Sequence, residues 1–490
     1  MVVITSLRSL LVKATTVLLG LQATAVLASP AVTYNNTLIE QRADPHITKH
    51  TDGWYYFTAT VPAFDRIILR RAQSIQALSS AAETTIWRRK SSGVGSGQVW
   101  APELHYINGK WYIYVALGVA NEWRIRAFVL EGTGANPLTA SWVERGLVQT
   151  NWDTFSLDMS TFVVNNTRYL VWAQQEPSRP DENSSLMLAP MGANPWSIRG
   201  PAVAISRPDR SWERIGYKVN EGASVVQRNG NIFLTYSASA TDSNYCMGLL
   251  TASASADLMN PASWQKSANP VFVSNAATSQ YGPGHNSFTT SEDGQSDVMV
   301  FHDRGYKDIN GDPLNDPNRR TRVQKLYWKP DGTPDFGIPV PDGNTPARLR
   351  VHALEGTFLR YYSGSGNGNA APSLPDTQFK IVRPGLSGEQ GTVSLESTSN
   401  PGVYLRVPAD ANQQRLVFER QNGDVAAFRR AASFYQRSGL VGEAGAGALS
   451  LEASGSAGRF VGVESGGFPV LMASGGGDVG QQGRATFYLE

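Results

Sequence analysis

Cysteine is almost absent: Cys246 is the only one in a chain of 490 residues. An intramolecular disulfide and a cysteine-based structural zinc site are both excluded. Cys246 sits in the apolar run YCMGLL and reads as a small buried hydrophobe. Charge of one sign is lacking too. The 43 Lys and Arg against 41 Asp and Glu leave a net charge of +2, with no basic stripe and no like-charge run. Nothing there would hold nucleic acid. Beyond the N-terminus no apolar run is long enough to span a bilayer, so the sequence predicts no membrane association. The one apolar stretch, TTVLLGLQATAVLA, follows Arg8 and Lys13 and ends in the small residues Val26 and Ala28. That pattern predicts a signal peptide over residues 1–28 and an extracellular, secreted protein.

What the chain does have is turns and aromatics. The 47 Gly and 27 Pro suit many short strands, and the 12 Trp and 18 Tyr are a generous supply of rings that pack cores or stack on sugars. Glycan acceptor patterns occur at Asn35, Asn165 and Asn183. One phrase recurs: DPHITKHTDGWYYFTAT from Asp44, a strand, an Asp-Gly turn and an aromatic strand. It returns as APELHYINGKWYIYVAL from Ala101, DMSTFVVNNTRYLVWAQ from Asp158 and EGASVVQRNGNIFLTYSA from Glu221, with a fainter copy from His285. Five such repeats, each fifty to sixty residues long and built of strands, predict an all-β, five-bladed β-propeller over residues 30–343.

In a propeller the inner strand of each blade starts near the central axis. The leading residues Asp44, Asp158 and Glu221, together with His285, therefore converge. One acid alone can be a turn cap. Three in one register repel each other as carboxylates, and that cost asks for a reason. Cleaving a glycosidic bond needs one carboxyl to protonate the leaving oxygen and another, ionised, to activate water or attack carbon. A third acid raises the pKa of the first. Glu221, with the longer reach, suits the acid.

The motifs RADPHI, VWAPELH, SLDMSTF, VNEGASV and YGPGHNSF, spread over residues 42–288, resemble glycoside hydrolase family 43. The resemblance implies five-bladed enzymes that remove arabinose or xylose with inversion. It makes Asp44 the general base, Glu221 the general acid, and Asp158 the group that tunes and orients Glu221. The NEGASV and RTRVQKLYW wording looks most like exo-acting α-1,5-L-arabinofuranosidases. The expected substrate is then plant cell-wall arabinan, with L-arabinose released from the non-reducing end. An arabinofuranosidase or β-xylosidase acting on arabinoxylan is the alternative within the family, and a sugar-binding protein without turnover is the alternative outside it. Candidate sugar contacts are Trp100, His46, Glu103 and Arg322, with His105, Phe64 and Phe155 nearby in the motifs. No cofactor is required for the chemistry. The resemblance implies that His285 holds a structural Ca2+ or Na+ at the axis through water.

Past the linker PVPDGNTPARL the texture changes. FLRYY at Phe358 echoes VYLRV at Val403 and RFVGV at Arg459, and DTQF, AASF and ATFYLE form a second series. Three repeats of about fifty residues predict a β-trefoil over 346–490. It resembles the arabinose-binding module family 42, whose repeats hold sugar with a His and an Asp. Here the histidine position is Tyr361, Val407 and Val463, and the aspartate position is Asp376, Ala431 and Arg484. Only Tyr361 and Asp376 keep polar groups, so at most one sugar site is expected. The chain is expected to be a monomer.

Overall fold

A computed structural model describes residues 32–363, 373–410, 413–442, 447–473 and 478–490. The predicted signal peptide, residues 1–28, lies outside the described residues. From Ala43 to Asp335 the chain forms five four-stranded antiparallel sheets, each made of strands consecutive in sequence. The inner strands are Ala43–Lys49, Val99–Ile107, Ser156–Val164, Asn220–Arg228 and Tyr281–Thr290. They come from the five phrases read in the sequence, and together these sheets are the blades of a β-propeller.

The second strands are apolar on both faces because each sheet is covered on both sides by its neighbours. Lys110–Val119 shows this best: Ile113, Val115 and Leu117 point to one side and Tyr114 and Ala116 to the other, all buried. Each buried aliphatic side chain of this kind contributes about 1.5–3 kcal/mol. The ring is closed where its ends meet. Leu38 and Ile39 donate backbone hydrogen bonds to Thr321 O at 3.0 and 3.3 Å, and the short strand Asn35–Asn36 pairs with Gly343–Asn344.

All five inner strands are broken by a β-bulge at the same place. The pairings Ala43 with Thr60, Trp100 with Ala116, Leu157 with Ala173, Glu221 with Ser237 and Gly284 with His302 are each followed by a register shift. The residue after each pairing has positive φ: Asp44 51°, Ala101 46°, Asp158 54°, Gly222 58° and His285 43°. A bulge re-aims the side chains that flank it, and these five residues form the axial ring. The sequence reading is corrected at one position. It set Glu221 level with Asp44 and Asp158, but Gly222 occupies that place and Glu221 stands one residue earlier. Asn231 pairs with Arg228 as Lys110 pairs with Ile107, so counting back from the turn sets Gly222 level with Ala101.

The second unit, from Ala347 to Leu489, is a β-trefoil whose strands are joined by pairings, with Phe434–Ser438 branching off the main path, around a core of Leu349, Phe379, Leu395, Leu405, Phe434, Leu451, Val461 and Phe487. Its repeats share a device. The short helices Val425–Ala431 and Val479–Arg484 are capped by Asp424 and Asp478, and the 3-10 turn Leu374–Thr377 is closed by Ser373 and Asp376. Each leads into a core phenylalanine. The two units touch at blade five, where the Arg348 guanidinium lies 5.1 Å from the Tyr327 ring and 3.4 Å from the Phe358 ring.

Candidate active site

The axial ring opens into a cavity of about 760 Å³ lined by Asp44, Asp158, Glu221, Tyr245, His285 and Arg319. All three acids are in it, and each is surrounded differently. Asp44 is buried and holds four polar contacts. Thr60 Oγ1 donates to its Oδ2 at 2.6 Å and Arg319 Nη1 donates to its Oδ1 at 3.1 Å. His285 Nδ1 and His302 Nδ1 each lie 3.3 Å from that Oδ1. Burial alone would push its carboxyl up, but the Arg319 guanidinium, with His285 beside it, outweighs burial and holds it well below the usual range. Asp44 is therefore ionised.

Glu221 goes the other way. Burial pushes it up to about 7, with Asp44 adding to the rise and the Tyr245 hydrogen bond and Arg319 opposing it. Tyr245 Oη donates to Glu221 Oε1 at 2.8 Å. Asp158 is also pushed well above its ordinary value, first by burial and then by the charges of Glu221 and Asp44. Its Oδ2 accepts the Gly222 N–H at 3.0 Å. Asp158 and Glu221 titrate as a pair that retains a proton beside an ionised Asp44.

Burial pushes His302 down to about 3, so the ring is neutral. Its Nδ1 accepts the Asp44 N–H at 3.0 Å, which leaves the ring proton on Nε2. Burial lowers His285 as well. Arg319 is thus the permanent positive charge beside the general-base candidate.

The other expected residues divide. Trp100 lines the cavity and meets Phe64 edge-on at 5.8 Å. It also meets Trp123, 65% exposed at the mouth, whose ring stacks on Phe155 at 6.0 Å. His46 and Glu103 are not on the wall. They follow Asp44 and Ala101 by two residues and sit beneath the ring, where Glu103 Oε2 is 2.8 Å from His105 Nε2 and 3.9 Å from His46 Nε2. Among the described residues this trio is the one donor group that could share a metal ion, its atoms lying within 4.8 Å of one another. His285 instead faces the two aspartates, 3.3 Å from Asp44 and 3.9 Å from Asp158.

Arg322 is a correction. Its side chain is fully buried away from the cavity, held by Asp303 at 3.1 Å, by Asp342, and by Val340 O at 2.6 Å. Arg320 shares Asp303 with it, because residues two apart on a strand lie on one face. The arginine of this segment that lines the cavity is Arg319, just ahead of the strand Arg320–Trp328. Sequence reasoning missed Arg319, Tyr245, Trp123, His302 and Thr60. Its strongest signal was the leading ends of inner strands, whereas these residues stand on other strands and loops.

In the trefoil, Tyr361 N donates to Asp376 O at 2.7 Å and Val407 N donates to Ala431 O at 3.0 Å, which places the two pairs at equivalent positions. The Asp376 carboxylate is already engaged by Ser373 N, Ser373 Oγ and Ser399 Oγ at 3.1, 2.6 and 2.7 Å. A cavity of about 590 Å³ does stand at the second repeat, beside Val407, Phe428, Arg430 and Ala431.

Residues 34–334 match the family described as glycosyl hydrolases family 43. The chain belongs to that family. Residues 350–487 of this family 43 hydrolase match the alpha-L-arabinofuranosidase B (ABFB) domain. It is 68% identical over 470 residues to alpha-L-arabinofuranosidase 43 of Humicola insolens, covering 94% of this chain and 96% of that protein. It is 55% identical over 419 residues to the extracellular exo-alpha-(1->5)-L-arabinofuranosidase of Streptomyces avermitilis, covering 85% of each. The crystal structure of an alpha-L-arabinofuranosidase from Lactobacillus brevis superposes with a TM-score of 0.61 at 50% identity, over 63% of this chain and 98% of that one. The family 43 domain is a glycoside hydrolase, and its five-bladed sheet order is the architecture on which the site stands.

Proposed function

We propose that the protein is a secreted, inverting α-L-arabinofuranosidase that removes terminal L-arabinose from α-1,5-linked arabinan and its oligosaccharides. One observation carries the chemistry. A single cavity presents an ionised carboxylate, Asp44, and a carboxyl held up to about 7, Glu221. Asp44 takes a proton from water as that water attacks the anomeric carbon. Glu221 gives its proton to the departing glycosidic oxygen. The enzyme is left with Asp44 protonated and Glu221 ionised, and exchange with solvent resets both. Asp158, whose Oδ2 accepts the Gly222 N–H, fixes the strand that carries Glu221, and the proton the two acids retain is held beside the ionised Asp44.

The names of the Humicola and Streptomyces relatives favour arabinose as the sugar, and the Streptomyces name favours exo action on 1,5 links outside the cell. The signal-like N-terminus supports secretion.

The test is product analysis with linear α-1,5-arabinan, arabinoxylan and an aryl β-xyloside. Arabinose alone, released from arabinan and first seen by NMR as the β anomer, is expected. Early mixed oligosaccharides would overturn exo action, and a first-formed α anomer would overturn inversion. Turnover only on arabinoxylan or the xyloside would move the substrate to the alternative.

A further inference from the structure

The bulges leave an unusual demand. At four of the five the N–H of the axial residue is taken by a side chain of the blade before it. Three of the preceding blades answer with a side chain from their second strand. Each answering residue sits opposite the residue just before its own bulge. Thr60 Oγ1 of blade one accepts Ala101 N at 2.7 Å, Ser237 Oγ of blade four accepts His285 N at 2.7 Å, and His302 Nδ1 of blade five accepts Asp44 N at 3.0 Å. Blades two and three have Ala116 and Ala173 there, which offer no acceptor. At Gly222 the acceptor is Asp158 itself.

Thr60 differs from the others because its hydroxyl also donates to the Asp44 carboxylate. A hydroxyl has one proton, and its lone pair already takes the Ala101 N–H. The proton is thereby directed at Asp44 Oδ2, 2.6 Å away. Arg319 holds the other oxygen, so the carboxylate is pinned at both ends against rotation about its Cβ–Cγ bond. Thr60 is 2% exposed and its place is fixed by the strand opposite Ala43.

We infer that Thr60 is a positioning residue for the general base: a blade-to-blade relay, Ala101 N–H to Thr60 O–H to Asp44, sets the carboxylate toward the attacking water. This rests on the reading of Asp44 as base. Thr60→Val keeps shape and volume and deletes the relay. Misplacing a reacting group by about 1 Å costs on the order of 100-fold in rate, so a fall in kcat of about 10- to 100-fold is expected, with KM little changed.

The readout that a merely structural role would not move is leaving-group dependence. A defect in the base persists on a dinitrophenyl arabinofuranoside, whose departure needs no acid, whereas a defect in the acid is relieved there. Thr60→Val should lose activity equally on that substrate and on arabinobiose, and Thr60→Ser should restore it. Thr60→Ala is read the same way should the valine variant not fold. An unchanged kcat in either variant, recovery on the dinitrophenyl substrate, or failure of serine to rescue would overturn the inference. Asp44→Asn, measured alongside, separates the two readings. If it remains active the base assignment falls. If it is inactive while Thr60→Val is unimpaired, only the relay falls.

Discussion

At the scale of single residues, the site is a set of carboxyls whose protonation is set by what touches them. Tyr245 is the group that opposes burial most strongly at Glu221, so Tyr245→Phe removes a stabiliser of the ionised form. The Glu221 pKa then rises further, the acid stays protonated to higher pH, and the basic limb of kcat/KM moves upward from near 7. A pH–rate profile of the variant checks this, and a downward shift would contradict it. Stability has the opposite sense. A carboxyl whose folded pKa lies above its unfolded value resists ionising in the fold. Its contribution is favourable below about pH 4.5 and is lost as pH rises through about 7. The loss is on the order of 3 kcal/mol at one pKa unit per 1.36 kcal/mol. Glu221→Gln should therefore abolish hydrolysis yet raise Tm by a few degrees at pH 8 and leave it unmoved at pH 4. Asp44 and Asp158 were legible in the sequence because they recur at one place in a repeat, and Glu221 because it stands one residue from that place. Arg319 was not, because three arginines stand within four positions and only the start of the strand at Arg320 tells which one precedes it. Nothing in the linear pattern marks Tyr245 or Thr60, which reach their acids from a loop and a second strand of the same blade.

At the scale of the strand, the bulge converts an ordinary hairpin into an axial residue. The hairpins were readable from Asn-Gly, Asp-Gly and aromatic runs, but the register of the fourth was not. A slip of one residue exchanges the two faces of a strand, and Glu221 and Gly222 sit on either side of that slip. Glycine at 222 answers two constraints. Its φ is +58°, and a Cβ there would come within 3.0 Å of His285 Cγ. Ala101 tolerates a similar φ at the equivalent place because its Cβ faces the open cavity. Gly222→Ala should thus destabilise by about 1–2 kcal/mol from the backbone term alone. It should also lower kcat by displacing His285 from Asp44. Thermal melting and turnover on an aryl arabinofuranoside measure the two effects, and a variant matching the parent in both would refute the packing argument.

At the scale of the molecule, the propeller does not end where its last blade ends. The predicted linker is part of the closure. Asp342 is an ion-pair partner of the buried Arg322, Val340 O accepts from the same guanidinium, Asn344 pairs with Asn35, and Thr345 Oγ1 accepts Tyr34 N at 3.0 Å. A chain cut after residue 338 keeps all five sheets but strips Arg322 of two partners, leaving a buried charge with Asp303 alone. The pair with Asp303 stays, so the loss is an ion pair to the exposed Asp342 and a charge-assisted hydrogen bond to Val340 O, the latter about 1.5–3 kcal/mol. A chain cut after residue 346 keeps every one of those contacts and loses the trefoil and the stacking of Arg348 between Tyr327 and Phe358, an interaction on the order of 0.5–2 kcal/mol. The shorter truncation should therefore melt well below the longer one, although they differ by only a few residues. The longer one should turn over a small aryl arabinofuranoside at close to the full-length rate, since no trefoil residue lines the catalytic cavity. Melting curves and kcat for both truncations distinguish closure by the linker from support by the trefoil. Equal Tm values for the two would show that the ring closes without residues 339–346.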